Sequence, residues 1–369
     1  MEERGGGAVS VERDGTGSSA VPSVVPSAVS RMPPLEVDGP RRGGWKMVVQ
    51  IVGFVIGLAL LVWCVVQAFS PKNQEQLAAL RNAPWALVAA LFATNVLIIA
   101  SAGMNFYLAL RPVRRINFLD LHATNAIAIL LAYAPFKLSM VFRVLVHHRR
   151  DRLPLALIAA WFACVTLAML AAFGPLVLAS VTGQGIDARW FAVAAAGAVF
   201  AWLCLWQAAR FFSGERGMQR IHGLARATGI AAAERFAVSK LVHNLHDGLG
   251  MLNKPQRVAS LIGMRLLDMV IQATRFYIAA KLLGIEMTWE SAVLIASTHF
   301  IIGVISPSGM MGTREAGAAG LASYLHVADM SQAAAVGVLI LATEAIVNVT
   351  LAVVGVLRLG VGRMFTPRG

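Results

Sequence analysis

The sequence predicts an all-α polytopic membrane protein with about six transmembrane helices plus two re-entrant helical hairpins, arranged as an inverted repeat. Three observations predict it. Of 369 residues, 57% are hydrophobic and 14% are charged, against about 45–50% apolar (glycine included) and about 25% charged in soluble domains. Mean hydropathy is +0.68. Apolar runs long enough to span, about 20 residues each, recur along the chain. The lysines and arginines gather in short segments between those runs, the positive-inside pattern.

That pattern also accounts for the net charge of +13. No stacking platform or recognised motif supports a nucleic-acid partner, and none is expected. Cys64, Cys164 and Cys204 lie inside apolar stretches and indicate neither a redox compartment nor a metal site. His147-His148 and His243-x-x-His246 lack a companion carboxylate or cysteine set, so no metal is expected. Met310-Met311 reads as packing. No cofactor is expected.

Residues 1–45, rich in Gly, Ser, Pro and Val, read as a disordered cytoplasmic tail, with no cleaved signal and no myristoylation. The integral domain is expected over 46–362, followed by a cytoplasmic C-terminus at 363–369. The first span, Met47–Phe69, follows Arg41, Arg42 and Lys46, which sets the N-terminus inside. A short loop (Ser70–Ala83) leads to the second span, Pro84–Leu110, which returns to Arg111, Arg114 and Arg115.

From Phe118 to His148 the chain is mostly apolar, yet it ends in the basic cluster 147–152. With basic clusters at both ends, this segment must enter and come back. The turn is expected at Pro135-Phe136-Lys137, because proline removes a backbone donor and disfavours helix at the preceding residue. Leu153–Thr182 is a long span that Gly174-Pro175 should kink. Trp190–Phe211 follows, then a basic cytoplasmic loop, 212–257, holding a surface-lying amphipathic helix. Val258–Leu283 crosses outward. Ala292–Val327 is broken at 306–312 and flanked by segments poor in Lys and Arg, so a second hairpin, opened from outside, is expected. Gln332–Leu357 is the last span. Pro84–Leu110, the Pro135 hairpin and Leu153–Thr182 then mirror Val258–Leu283, the Pro307 hairpin and Gln332–Leu357 with reversed direction. Many secondary transporters are built this way, with the substrate site where broken helices meet.

Ionisable residues inside spans cost about 2.5–3.5 kcal/mol each on insertion scales and are functional candidates by default. Arg265, Asp268, Gln272 and Arg275 fall on one face of their span, within about 80° at 100° per residue. They line an aqueous cavity or partner helix, or else Arg265–Asp268 is an internal pair that lets the helix insert. Glu344 needs a cation, with Arg265, Arg275 and Arg314 available; a structural pair and a proton-coupling site are both open. Pro307, Gly309 and Gly312 break the backbone before Thr313-Arg314-Glu315 opens a half-helix. A helix N-terminus with a guanidinium fork suits a phosphate or carboxylate. The alternative is that Arg314 and Glu315 hold the hairpin through ion pairs. Lys137 and Arg143, after the first break, either mirror Arg314 or serve as positive-inside anchors.

Pro-Ser-Gly-Met-Met-Gly-Thr-Arg-Glu at 307–315 resembles the signature of the flippase-like membrane domain found in the lysylphosphatidylglycerol synthase transmembrane region and its stand-alone relatives. The stretch Pro135-x-Lys137-Leu138-Ser139-x-x-x-Arg143 is similar to that family's first-hairpin motif, departing from it at Phe136, Ser139 and Met140. The resemblance covers about 45–369. It implies movement of a lipid or lipid-linked headgroup across the bacterial inner membrane. It also implies no lysine transfer by this chain alone, since the synthase members carry a further soluble domain for which no room is expected here. The expected partner is therefore a membrane lipid with an anionic or lipid-linked headgroup, and the sequence is compatible with a homo-oligomer. A membrane-embedded glycosyltransferase-like enzyme acting on a polyprenyl-linked substrate is the alternative; loop 212–257 offers it only Glu215, Glu234 and Asp247. A non-catalytic scaffold recruiting a partner through that loop is the third.

Overall fold

The computed structural model describes residues 43–134, 137–182, 187–305 and 312–360. Most of the expected tail, the turn residues Pro135 and Phe136, the breakers Pro307 and Gly309, and residues 363–369 lie outside the described residues. Everything regular among the described residues is helical.

Helix α1 (Gly43–Ala68) is the first apolar run, starting slightly earlier than expected. Val52, Val55, Ile56 and Val62 on it are exposed, as a lipid-facing surface requires. The expected loop after it is instead a 3-10 turn (Pro71–Asn73) and α2 (Gln74–Arg81). Asn73 is the reason: it is fully buried and its amide donates to the carbonyls of Gln67, Ala68 and, at 2.9 Å, Ser331. Charge carries no information on the conformation of this segment.

Helix α3 (Trp85–Leu110) is followed by two short helices, α4 (Phe118–Leu131) and α5 (Leu138–Arg149). Asn117 caps α4 by accepting from the amides of Leu119 and Asp120. Lys137 enters α5 with φ of 51°. At about 1.5 Å per residue neither helix reaches across a core about 30 Å thick, and the two pack against each other. Asp120 at the start of α4 bonds Arg150 just after α5 at 2.7 Å.

Helices α6 (Leu155–Thr182) and α7 (Ala188–Phe212) come next. Helix α6 continues through Pro175, and Gly197 of α7 faces that proline closely. The basic segment 212–257, expected to be a loop with one helix, holds three: α8 (Gly214–Ala227), α9 (Ala231–Ala237) and α10 (Lys240–Met251). Helix α8 is amphipathic, with Met218, Ile221 and Ala225 opposite Arg216, Arg220 and Arg226 on a 100° wheel. Helix α10 packs against α6 and α7; Gly248 lets its backbone approach Ala160.

The remaining helices are α11 (Pro255–Leu282), the short α12 (Trp289–Ile305) and α13 (Thr313–Tyr324), and α14 (Met330–Leu359). Among the described residues five helices are long and apolar enough to cross a membrane: α3, α6, α7, α14 and the Val48–Ala68 part of α1. Helix α11 is as long, at 28 residues, but too polar to qualify. Its charges are turned inward: Arg265, Asp268, Gln272 and Arg275 are buried, while Leu267 and Val270 on the other face are exposed.

Helices α3 and α11 lie along each other in opposite directions. Asn95 meets Arg275 and Ser101 meets Asp268. Helix α4 packs on α3, α5 and α14; α12 packs on α11, α13 and α6. Helix α5 lies against α6 and α13 against α14, and both α3 and α11 touch α6 and α14. One apolar core, around Leu91, Phe173, Phe276 and Ile295, fills one end of this group. A second, around Leu110, Trp161, Leu252 and Leu261, fills the other.

Candidate functional site

Between those cores runs a polar seam. In its first half, Glu344 of α14 lies among donors. Arg314 of α13 reaches both its oxygens, Nη1 to Oε1 and Nη2 to Oε2, each at 3.3 Å. Arg275 of α11 donates to Oε2 at 3.0 Å, and the Tyr133 hydroxyl, just past α4, donates to Oε1 at 2.7 Å. Asn348, one turn along α14, donates in turn to that hydroxyl. Arg275 also donates to Asn95 of α3 at 3.0 Å.

Glu315 is the second carboxylate. Its Oε1 takes the Arg314 Nε–H at 2.7 Å, and its Oε2 takes the Gly312 amide at 2.7 Å. His299 of α12 stands 3.7 Å from Oε1. Gly312 has φ of 79°, and a Cβ there would lie 1.7 Å from the Gly57 carbonyl of α1. Only glycine fits both the dihedral and the space. Glu315 thus closes the first turn of α13 while α1 presses on its start. Two guanidiniums face two carboxylates, so this half is balanced in charge and held by contacts whose loss is expensive. Removing one partner of a buried pair costs about 3–5 kcal/mol.

The second half lies toward the N-terminal end of α11. Asp268, 1% exposed, takes the Ser101 hydroxyl on one oxygen, and Gln272 and Arg265 on the other at 3.4 Å each. Arg265 Nε is buried without a hydrogen-bond partner, as is Asn105 Oδ1 on α3. Arg143 of α5 lies with its guanidinium carbon 4.4 Å from the centre of the Phe106 ring.

The sequence matches the family described as the lysylphosphatidylglycerol synthase TM region over residues 50–355. The chain belongs to that family. No curated protein and no solved structure matches it.

Within this family domain, the sequence-predicted residues separate into groups. Arg314, Glu315, Gly312, Arg275 and Glu344 meet in one network, and Arg265, Asp268 and Arg143 belong to the other half of the seam. Lys137 is exposed at the start of α5. Pro307 and Gly309 lie outside the described residues. His147 bonds Asp151 at 2.7 Å, and His246 bonds the Gly214 carbonyl.

Sequence reading missed Tyr133, His299, Asn95 and Ser101. The α3 residues carried a signal. Thr94, Asn95, Ser101 and Asn105 fall within about 120° of one another at 100° per residue, a narrow polar stripe inside a span that reads as apolar. That stripe is what the charged face of α11 needs opposite it. Tyr133 and His299 are single polar residues in apolar runs and had no such pattern.

Proposed function

We propose that this protein moves an anionic lipid, or a lipid-linked headgroup, across the bacterial inner membrane, with both termini on the cytoplasmic side. In this reading α4–α5 and α12–α13 are re-entrant hairpins entering from opposite sides. Helices α3–α6 and α11–α14 are the halves of an inverted repeat. Exchanging α3 with α11, α4 with α12, α5 with α13 and α6 with α14 turns each contact made among these eight helices into another contact of the same set. That closure supports the repeat. The Asp120–Arg150 bond supports the first hairpin, because it ties the beginning of α4 to the end of α5.

The observation that carries the function is the convergence of charge from both broken-helix pairs, Arg143 from one and Arg314 from the other, on the polar seam of α3 and α11. Ionisable groups at such depth line substrate paths far more often than they line lipid. Arg314, in the first turn of α13, grips the headgroup phosphate by exchanging a carboxylate for it, with Arg275 adding charge. Glu344 and Glu315 hold the arginines when no anion is bound. Gly312 lets the start of α13 approach α1 closely, and Lys137 attracts anions to the mouth of the first hairpin.

Reconstitution in liposomes with labelled lipids of several headgroups tests this. Headgroup-dependent transfer between leaflets is expected. Transfer equal for all headgroups, or none, overturns the reading, and product formation from a lipid-linked sugar replaces it with a transferase.

A further inference from the structure

Resting on the translocase reading, we infer that Arg143 and Arg265 form a docking site for the phosphate of an entering ligand, separate from the network around Arg314. The argument is first one of charge. Around Glu344 and Glu315 each carboxylate has its guanidinium. Around Asp268 two guanidiniums share one carboxylate: Arg265 bonds it at 3.4 Å, and Arg143 lies over Phe106, the residue after Asn105, which the α3–α11 register sets level with Arg265. Arg143 forms no ion pair with any described carboxylate and is only partly exposed. Its guanidinium lies over the Phe106 ring, which orients it without neutralising it. One positive charge is therefore left over in an apolar setting, where it is costly unless an anion joins it.

Hydrogen bonding leaves this place open too, as it also does at Arg275 Nε and Asn348 Oδ1 beside Glu344. Arg265 Nε–H has no acceptor, although the residue is 6% exposed. Asp268 already accepts from Ser101, Gln272 and Arg265 Nη1 and does not reach Nε. Asn105 Oδ1 has no donor, and in the antiparallel register set by Asn95–Arg275 and Ser101–Asp268 it sits level with Arg265. A phosphate ester carrying a hydroxyl or ammonium close by satisfies all three: oxygens for the two guanidiniums, a donor for the asparagine. By contrast, an anion reaching Arg314 must first displace a carboxylate. Arg143 and Arg265 need displace nothing, so they take the phosphate first.

The test is thermal stability of the purified full chain in zwitterionic nanodiscs, with three probes: phosphatidylglycerol in the disc, soluble glycerol phosphate, and inorganic phosphate. Phosphatidylglycerol should raise the wild-type Tm by about 2–4 °C. Arg143→Gln should lose that rise while its Tm without anion stays equal or climbs, because the leftover charge is gone; Arg143→Lys should keep part of the rise. If glycerol phosphate acts as well as the lipid, the site takes a free phosphate ester; if the lipid alone acts, it takes a headgroup. A Tm that falls without anion in Arg143→Gln, with the lipid-dependent rise intact, overturns the site. The leaflet-transfer assay separates the two ideas. Wild-type transfer that survives in Arg143→Gln overturns the docking site alone. No transfer by wild type, with lipid binding still dependent on Arg143, overturns translocation alone.

Discussion

Asp120 and Arg150 are bonded at 2.7 Å although two helices lie between them. Arg358, at the end of α14, bonds the other Asp120 oxygen at 2.9 Å. One carboxylate thus gathers the beginning of α4, the end of α5 and the end of α14; in the re-entrant reading proposed above, the basic segments flanking α4–α5 lie on one side of the membrane.

Cysteine labelling checks that side. Asn73 is buried and unsuited to the purpose, so the outer positions to use are Glu75 and Arg189, both exposed. Glu75→Cys and Arg189→Cys should react with an impermeant reagent in intact cells, whereas Arg149→Cys should react only after permeabilisation. External reaction of Arg149→Cys means that α4–α5 crosses.

The Asp120 pairs are partly exposed, so each contributes modestly, about 0.2–1 kcal/mol. Asp120→Asn should lower Tm by a few degrees at most. In a double-mutant cycle with Arg150→Gln, a coupling near zero would reduce the bond to a passive contact.

Arg314→Ala leaves Glu344 and Glu315 short of their shared guanidinium. A loss of about 3–5 kcal/mol should appear as low abundance in membranes. Glu344 keeps Arg275 in that variant whereas Glu315 has no other guanidinium among the described residues, so adding Glu315→Gln should restore abundance. Restored abundance without lipid transfer assigns Arg314 a role in transport as well; restored transfer in the double variant ends that role.

Gly312→Ala sets a Cβ against the Gly57 carbonyl at a dihedral that alanine resists. Loss of at least about 1–3 kcal/mol is expected from strain alone, read as reduced Tm. An unchanged Tm means that α1 is free to move aside.

Asn73→Ala removes three amide hydrogen bonds that tie the end of α1 to the start of α14. The Ala68 and Ser331 carbonyls are buried and lose this donor, so a drop of about 1–3 kcal/mol in stability is expected, with faster proteolysis between Ala68 and Gln74.

How much of this was legible in the sequence follows from what each signal encodes. Hydropathy and Lys/Arg clusters report where the chain meets water, and the six long helices lie within a few residues of the expected spans. Those signals carry no information on backbone form in polar segments, which is why a loop is expected at 70–83 and a loop with one helix at 212–257, where the chain forms a 3-10 turn with α2 and three helices. The stripe Arg265–Arg275 was visible because four polar residues recur at helical spacing. Its partners were harder to see, since Asn95 and Ser101 are small, uncharged and scattered through an apolar helix. Tyr133 meets Glu344 across 211 residues of chain, and nothing local to either residue announces that meeting.

The register between α3 and α11 restricts how the molecule can move. Slipping one helix past the other by a turn, about 5.4 Å, brings Arg275 against Leu91 or Ile99 instead of Asn95, and Asp268 away from Ser101. Arg275 then faces hydrocarbon, and Asp268 exchanges Ser101 for Leu97 in one direction or Asn105 in the other. Sliding is closed to this pair, so it behaves as a spindle. In the translocase reading proposed above, exchange of access from one leaflet to the other is expected to come from α4–α5 and α12–α13 swinging around a shaft that itself stays still.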